Sequence, residues 1–268
     1  MLPILTTPVR WLSALSLSAL SLAAQAAPVQ VSVTIENLAR ADSIGFAPLH
    51  VGFGNGTFDA FNEGQAPTAP IISVAEGGSG SAWQPAFEAA EPLATRGVIG
   101  GPLLSGQTRT QTFLVDPAVN RYFTFAAMVI PSNDFFIGND SPLEHRLFNA
   151  AGDLQINAIT VKARDIWNAG SEAFSVAGAA FLVNGSNPVR SDEGGVVRFN
   201  FSELAGFNGQ TTAAGYVFNS NLAGSDDIYR ISFQTSAVPE PQSLALTAMG
   251  LLTMLGLQRR RGKSVTKA

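Results

Sequence analysis

Val29-Gln30-Val31-Ser32-Val33-Thr34-Ile35-Glu36 alternates apolar and polar side chains without a break. Successive side chains of a strand point to opposite faces, so this period of two puts Val29, Val31, Val33 and Ile35 on one face and predicts a half-buried β-strand. The strand signal returns along the chain. Leu49 to Phe53 reads as a second strand ending at the turn Gly54-Asn55-Gly56. Further strands are expected at Gln111 to Val115, Tyr122 to Ile130, Gln155 to Val161, Ala173 to Val183, Val196 to Phe201, Tyr216 to Asn219 and Ile228 to Gln234. Turn chemistry separates most of them, at Asp116-Pro117, Asn184-Gly185, Gly194-Gly195 and Asn208-Gly209. Phe58, Phe61 and Asn62 begin an irregular segment reaching Pro70, and Ser81 to Ala90 reads as one short helix with Ser81 near its cap. No series of helices intervenes between the strands. The expected fold class is therefore all-β: an antiparallel β-sandwich of about eight strands with one short helix, flanked by an N-terminal signal helix and a C-terminal membrane helix.

The two ends of the 268-residue chain carry different signals. Residues 1-27 read as a secretory signal, with Arg10 as the positive start, an apolar stretch from Trp11 to Ala23, and Ala24-Gln25-Ala26 as the small-x-small cleavage pattern. Residues 28-236 then make one domain. Residues 237-268 hold Pro239-Glu240-Pro241, an uncharged run from Ser243 to Leu257 and the cluster Arg259-Arg260-Arg261. This tail resembles a PEP-CTERM sorting signal of Gram-negative bacteria, and the resemblance implies processing by an exosortase at the cell envelope. The apolar run would hold the membrane only transiently, with the arginines on the cytoplasmic side.

Removing both ends leaves ten Lys and Arg against nineteen Asp and Glu, because Arg10, Arg259, Arg260, Arg261, Lys263, Lys267 and Glu240 all lie outside the domain. A net charge of about −9 repels phosphate backbones and sulfated polysaccharides, so nucleic acid is not an expected partner. Cysteine is absent, which excludes disulfides, zinc-thiolate sites and cysteine nucleophiles. His50 and His145 are the only histidines, and no Gly-x-Ser-x-Gly elbow accompanies them. Both are expected at the surface or at strand ends. The glycines 77, 78 and 80 are followed by no Lys-Ser/Thr and do not make a phosphate loop.

Candidate chemistry gathers in two segments, Pro131-Ser-Asn-Asp-Phe-Phe-Ile-Gly138 and Ile166-Trp-Asn-Ala-Gly-Ser-Glu172. Each follows an apolar run and sets oxygen-bearing side chains among turn-forming residues, so each is expected to be a loop at a strand end. If the loops converge, Asp134, Asn168 and Glu172 offer three hard oxygen ligands of the kind calcium takes. The pair resembles the Ser-Pro-Asp-Trp and Trp-Asp-Ala-Gly-Thr-Asp signatures of the spondin N-terminal domain, an extracellular-matrix module, over roughly Val29 to Phe233. The resemblance implies a β-sandwich with one Ca2+ held by Asp134, Asn168 and Glu172. It also implies a non-enzymatic, exported adhesion or biofilm-matrix component whose partners are an extracellular polymer or a surface protein. Asn168 departs from the family's Asp, and Glu172 reaches one methylene further.

Other readings of the same residues stand beside this one. Asp134, Asp140, Asp165 and Glu172 could include a carboxylate pair for glycoside cleavage, since that spacing is spatial rather than linear. Asp134 could instead cap a turn through backbone amides while Asn168 and Glu172 shape a loop. Asp140 and Asp165 are supplementary metal candidates. Trp83, Phe135, Phe136 and Trp167 are expected to anchor the core beneath the loops, with a sugar-stacking platform as the alternative; a groove of exposed aromatics and facing carboxylates would favour an extracellular polysaccharide-binding or glycoside-cleaving domain.

Overall fold

The alternating stretch forms β1 (Val29–Asn37) in the computed structural model, which describes residues 27–238. After it come β2 (Gly45–Phe46), β3 (Leu49–Gly54), β4 (Thr95–Ile99), β5 (Thr108–Val115), β6 (Tyr122–Ile130) and β7 (Phe135–Gly138). β8 (Ala158–Lys162), β9 (Trp167–Asn168), β10 (Arg198–Phe199) and β11 (Asp227–Ala237) complete the set. Two helices, α1 (Ala69–Gly77) and α2 (Trp83–Ala90), lie between β3 and β4. The chain is mostly β, and every strand pairing is antiparallel.

The strands form two sheets, one ordered β5-β1-β11-β8 and the other β10-β9-β7-β6-β3-β4 with β2 beside β6. Val31, Val33 and Ile35 of the first sheet and Phe53, Phe123, Phe125 and Phe135 of the second share one buried cluster, so the main core sits between the sheets. A second cluster of Phe58, Phe61, Trp83, Phe87, Phe136 and Trp167 lies where α1 and α2 cover the outer face of the larger sheet. Coverage on both faces explains the sequence of β6, whose residues after Tyr122 are all buried and almost all apolar. Gly52 marks a close approach of the layers, because a Cβ there would overlap the Phe87 ring.

Several sequence expectations change. Two helices replace the one expected, since the segment before Pro70 ends in a capped start: Thr68 Oγ1 accepts Ile71 N at 3.4 Å, and Pro70 sits in the first turn. Gly78 closes α1 in the left-handed conformation at φ 60°, which accounts for part of the glycine cluster. Ala173 to Val183 is not a strand; turns there make only the single bridges Ser132 to Ala180 and Leu182 to Thr212. Tyr216 to Asn219 likewise contributes one bridge, from Val217 to Thr211. β4 arises where no strand was expected, and β7 and β9 arise inside the two expected loops. β11 runs to Ala237, paired with Val29, one residue past the expected domain end. The signal segment 1-27 and the tail 237-268 fall outside the described residues except for residues 27, 237 and 238.

Candidate metal centre

Ser132 turns the chain after β6: its Oγ donates to Val129 O at 2.5 Å and accepts Phe135 N at 3.2 Å. This brings Asp134 to the head of β7, which pairs with β9 through Phe135 opposite Asn168. The two segments singled out in the sequence therefore meet. Asp134 is 1% exposed, and its Oδ2 accepts Ser171 N at 2.8 Å and Glu172 N at 3.1 Å. Oδ1 accepts Asn168 Nδ2 at 3.1 Å, and the Asp134 carbonyl accepts Ala169 N at 3.1 Å. Gly170 makes the turn that aims the two amides at the carboxylate; it has φ +69°, and a Cβ there would lie 2.6 Å from Val196 N.

Glu172 is also 1% exposed. Its Oε1 accepts Asn133 Nδ2 at 3.1 Å, while Oε2 is buried with no hydrogen-bond partner among the described residues. Asn133 is the member of this cluster that sequence reasoning passed over. Its amide also exchanges hydrogen bonds with the backbone of Ser175, at 3.0 and 3.1 Å, and so ties a third segment to the clasp. A second amide immediately before the proposed ligand was the available signal.

Burial raises both acids. The Asp134 carboxyl is pushed up to about 6, chiefly by loss of solvent, with the Glu172 and Ser171 amides pulling it back and Glu193 and Glu203 adding to the rise. Glu172 is pushed up to about 7 for the same chief reason; Glu76 and Asp134 raise it further, and the Asn133 hydrogen bond and Arg190 oppose. Arg190 is itself shared with Glu76 at 2.8 Å and Asp192 at 2.9 Å.

The oxygens fit calcium in part. Glu172 Oε2 has no partner and Asp134 Oδ1 has one donor, so both retain capacity for a cation. Asn168 fits less well: its Oδ1 accepts Gly170 N at 2.7 Å, and its NH2 faces the carboxylate. At this position the amide donates to Asp134, as a cation would attract it. Among the described residues no group of three or more His, Asp or Glu is arranged around a metal position.

The supplementary candidates are held elsewhere. Asp140 Oδ1 accepts Glu63 N at 2.9 Å, and Asp165 accepts Lys162 N at 3.1 Å and pairs with Arg164 at 3.7 Å. Trp83, Phe135, Phe136 and Trp167 are buried, as expected of core anchors. His50 lies within β3 but is buried rather than at the surface, with Nε2 3.1 Å from Gly78 O under the α1–α2 connection. No protein-family model matches the chain, and no curated protein matches it.

Proposed function

We propose that this chain is an exported, non-enzymatic β-sandwich module of the spondin N-terminal kind, an adhesive component of a cell surface or extracellular matrix, with a calcium-responsive clasp at Asp134 and Glu172. The observation that carries the reading is the meeting of two distant segments at one buried carboxylate, Asp134 with Asn168, Ser171 and Glu172. Two sheets packed on one core support the sandwich assignment. Calcium would be held by Asp134 Oδ1 and Glu172 Oε2, and when bound it supplies positive charge to two buried acids, of which only Glu172 feels a cation, the Arg190 it shares with Glu76 and Asp192. Asn168 orients Asp134 rather than ligating. The signal-like start and the Pro-Glu-Pro tail support export and exosortase sorting.

Differential scanning calorimetry tests the clasp. Calcium is expected to raise the melting temperature of the wild-type chain, magnesium less so, and Glu172→Gln is expected to abolish the rise while still folding. A melting temperature indifferent to calcium at millimolar concentration would overturn the calcium part of the reading.

A further inference from the structure

A groove of about 380 Å3 opens where β8, the edge of the smaller sheet, faces the β7-β9-β10 end of the larger one. One wall is aromatic. The Phe199 ring stacks on Trp167 with centroids 3.7 Å apart and planes 23° apart, and Phe199 remains 46% exposed. Trp167 is pinned beneath it, because its indole N–H donates to Gly138 O at 3.0 Å and its ring packs on Phe61. The exposed ring is thus a preformed platform on a rigid support, and it costs little order to use.

The groove is also lined by Glu63, Asp140, Glu144 and Asp165, and no Lys or Arg lines it. Part of that charge is engaged within the protein, by Arg164 and Lys162 N on Asp165 and by Glu63 N on Asp140. The one ion-pair contact of Glu144 among the described residues is His145, at 3.6 Å, and burial pushes that imidazole down to about 4, so it is neutral at physiological pH. Burial, with Asp140 and Asp165 adding, raises the Glu144 carboxyl. The Glu63 side chain makes no hydrogen bond or ion pair among the described residues.

An aromatic face beside uncompensated carboxylates attracts an organic cation from both sides: the ring through its quadrupole, the acids by charge-assisted hydrogen bonds. A flat ring open to solvent on one side suits the C–H face of a pyranose, which covers more of it than an alkylammonium chain does. The domain's charge of about −9 adds a long-range attraction for a polycation and repels acidic glycans. From these features we propose that the groove binds a cationic amino-sugar polymer, one sugar ring stacked on Phe199 and its ammonium group held by Glu63, Glu144 and the free oxygen of Asp140. This names a partner for the adhesive role, and its place outside the cell rests on that reading; the groove chemistry is independent of the clasp.

Isothermal titration of the full chain in EDTA, with a glucosamine hexamer, its N-acetylated counterpart and hexalysine, tests the assignment. The glucosamine hexamer is expected to bind, the N-acetylated hexamer to bind at least tenfold more weakly, and affinity to fall as salt rises from 20 to 300 mM, order-of-magnitude expectations for a few screened charge contacts. Phe199→Ala and Glu144→Gln are each expected to weaken binding about tenfold, Glu144→Gln with the melting temperature unchanged and Phe199→Ala with only the small fall that loss of the Trp167 stack brings. Equal affinity for the N-acetylated hexamer, full affinity in Phe199→Ala, or hexalysine binding as tightly as the sugar would overturn it. Because EDTA removes calcium, failure of the clasp leaves this result unaffected, and the reverse also holds.

Discussion

Asp134 shows how one residue type in one place organises a loop pair. Its carboxylate gathers the Ser171 and Glu172 amides and the Asn168 NH2 out of water, and each donor left unpaired in a buried site costs on the order of 1–3 kcal/mol. Asp134→Ala is therefore expected to lose about 3 kcal/mol or more, read as a fall in the urea midpoint with an unchanged slope. The raised acids make a second expectation. Folding lifts the Asp134 carboxyl from 3.8 to about 6 and Glu172 from 4.5 to about 7, so the folded chain binds more protons across that window. The stabilisation is complete below the unfolded values and is lost as pH rises through the folded ones. In EDTA the melting temperature is expected to fall between pH 5 and pH 8, with a shallower fall in Glu172→Gln; a melting temperature that rises over this range would contradict the assignment. Turn chemistry singled out the segments of Asp134, Asn168 and Glu172 in the sequence, but their meeting was only a condition there and an implication of the family resemblance. The direction of the Asn168 amide was not legible there, because it depends on which atom Gly170 N reaches, and that is set by a left-handed turn.

At the scale of elements, strands with alternating or wholly apolar patterns read correctly, and β6 matches its expected bounds. The misses have a common cause. β7 and β9 are short and gain their pairing from Phe135, Phe136 and Trp167, whose burial on two different faces comes from distant partners. Ala173 to Val183 has strand-like composition, yet the chain there is drawn into turns by the Asn133 amide and by Gly178, where a Cβ would crowd Val189 O. The helix pair is secured by a third buried carboxylate. Glu91, at the end of α2, accepts Thr57 N and Phe58 N at 2.7 Å each and also Asn55 N, which clasps the β3 exit to the helix. Glu91→Ala is expected to cost about 2–4 kcal/mol by stranding those amides, and to expose the 54–58 loop to limited proteolysis before the sheets unfold. Gly52→Ala is expected to destabilise the same interface by displacing Phe87, with near-ultraviolet circular dichroism of Trp83 reporting the shift.

For the whole molecule, β1 binds both ends of the described chain together, pairing with β5 on one side and with Tyr229 to Ala237 of β11 on the other. A fragment of residues 28–238 is expected to unfold cooperatively with the same midpoint as the full chain, since the pairing of Val29 with Ala237 falls inside it. A fragment ending at residue 226 removes β11 from the centre of its sheet, and is expected not to fold, as seen by loss of the far-ultraviolet strand signal. The larger scale also holds the groove, whose carboxylates and aromatics come from five separate stretches of chain. No linear motif could announce it. What could be read from residue order was local: a strand's two-residue period, a turn's need for glycine or asparagine, an export-like start and tail, and an acidic balance. Those properties depend on chain neighbours alone. The covering of the large sheet by two helices, the burial of His50, the amide that faces Asp134 and the stacking of Phe199 on Trp167 arise from contacts across tens to more than a hundred residues. Packing settles them, because burial and unpaired polar groups are decided by what lies opposite in space.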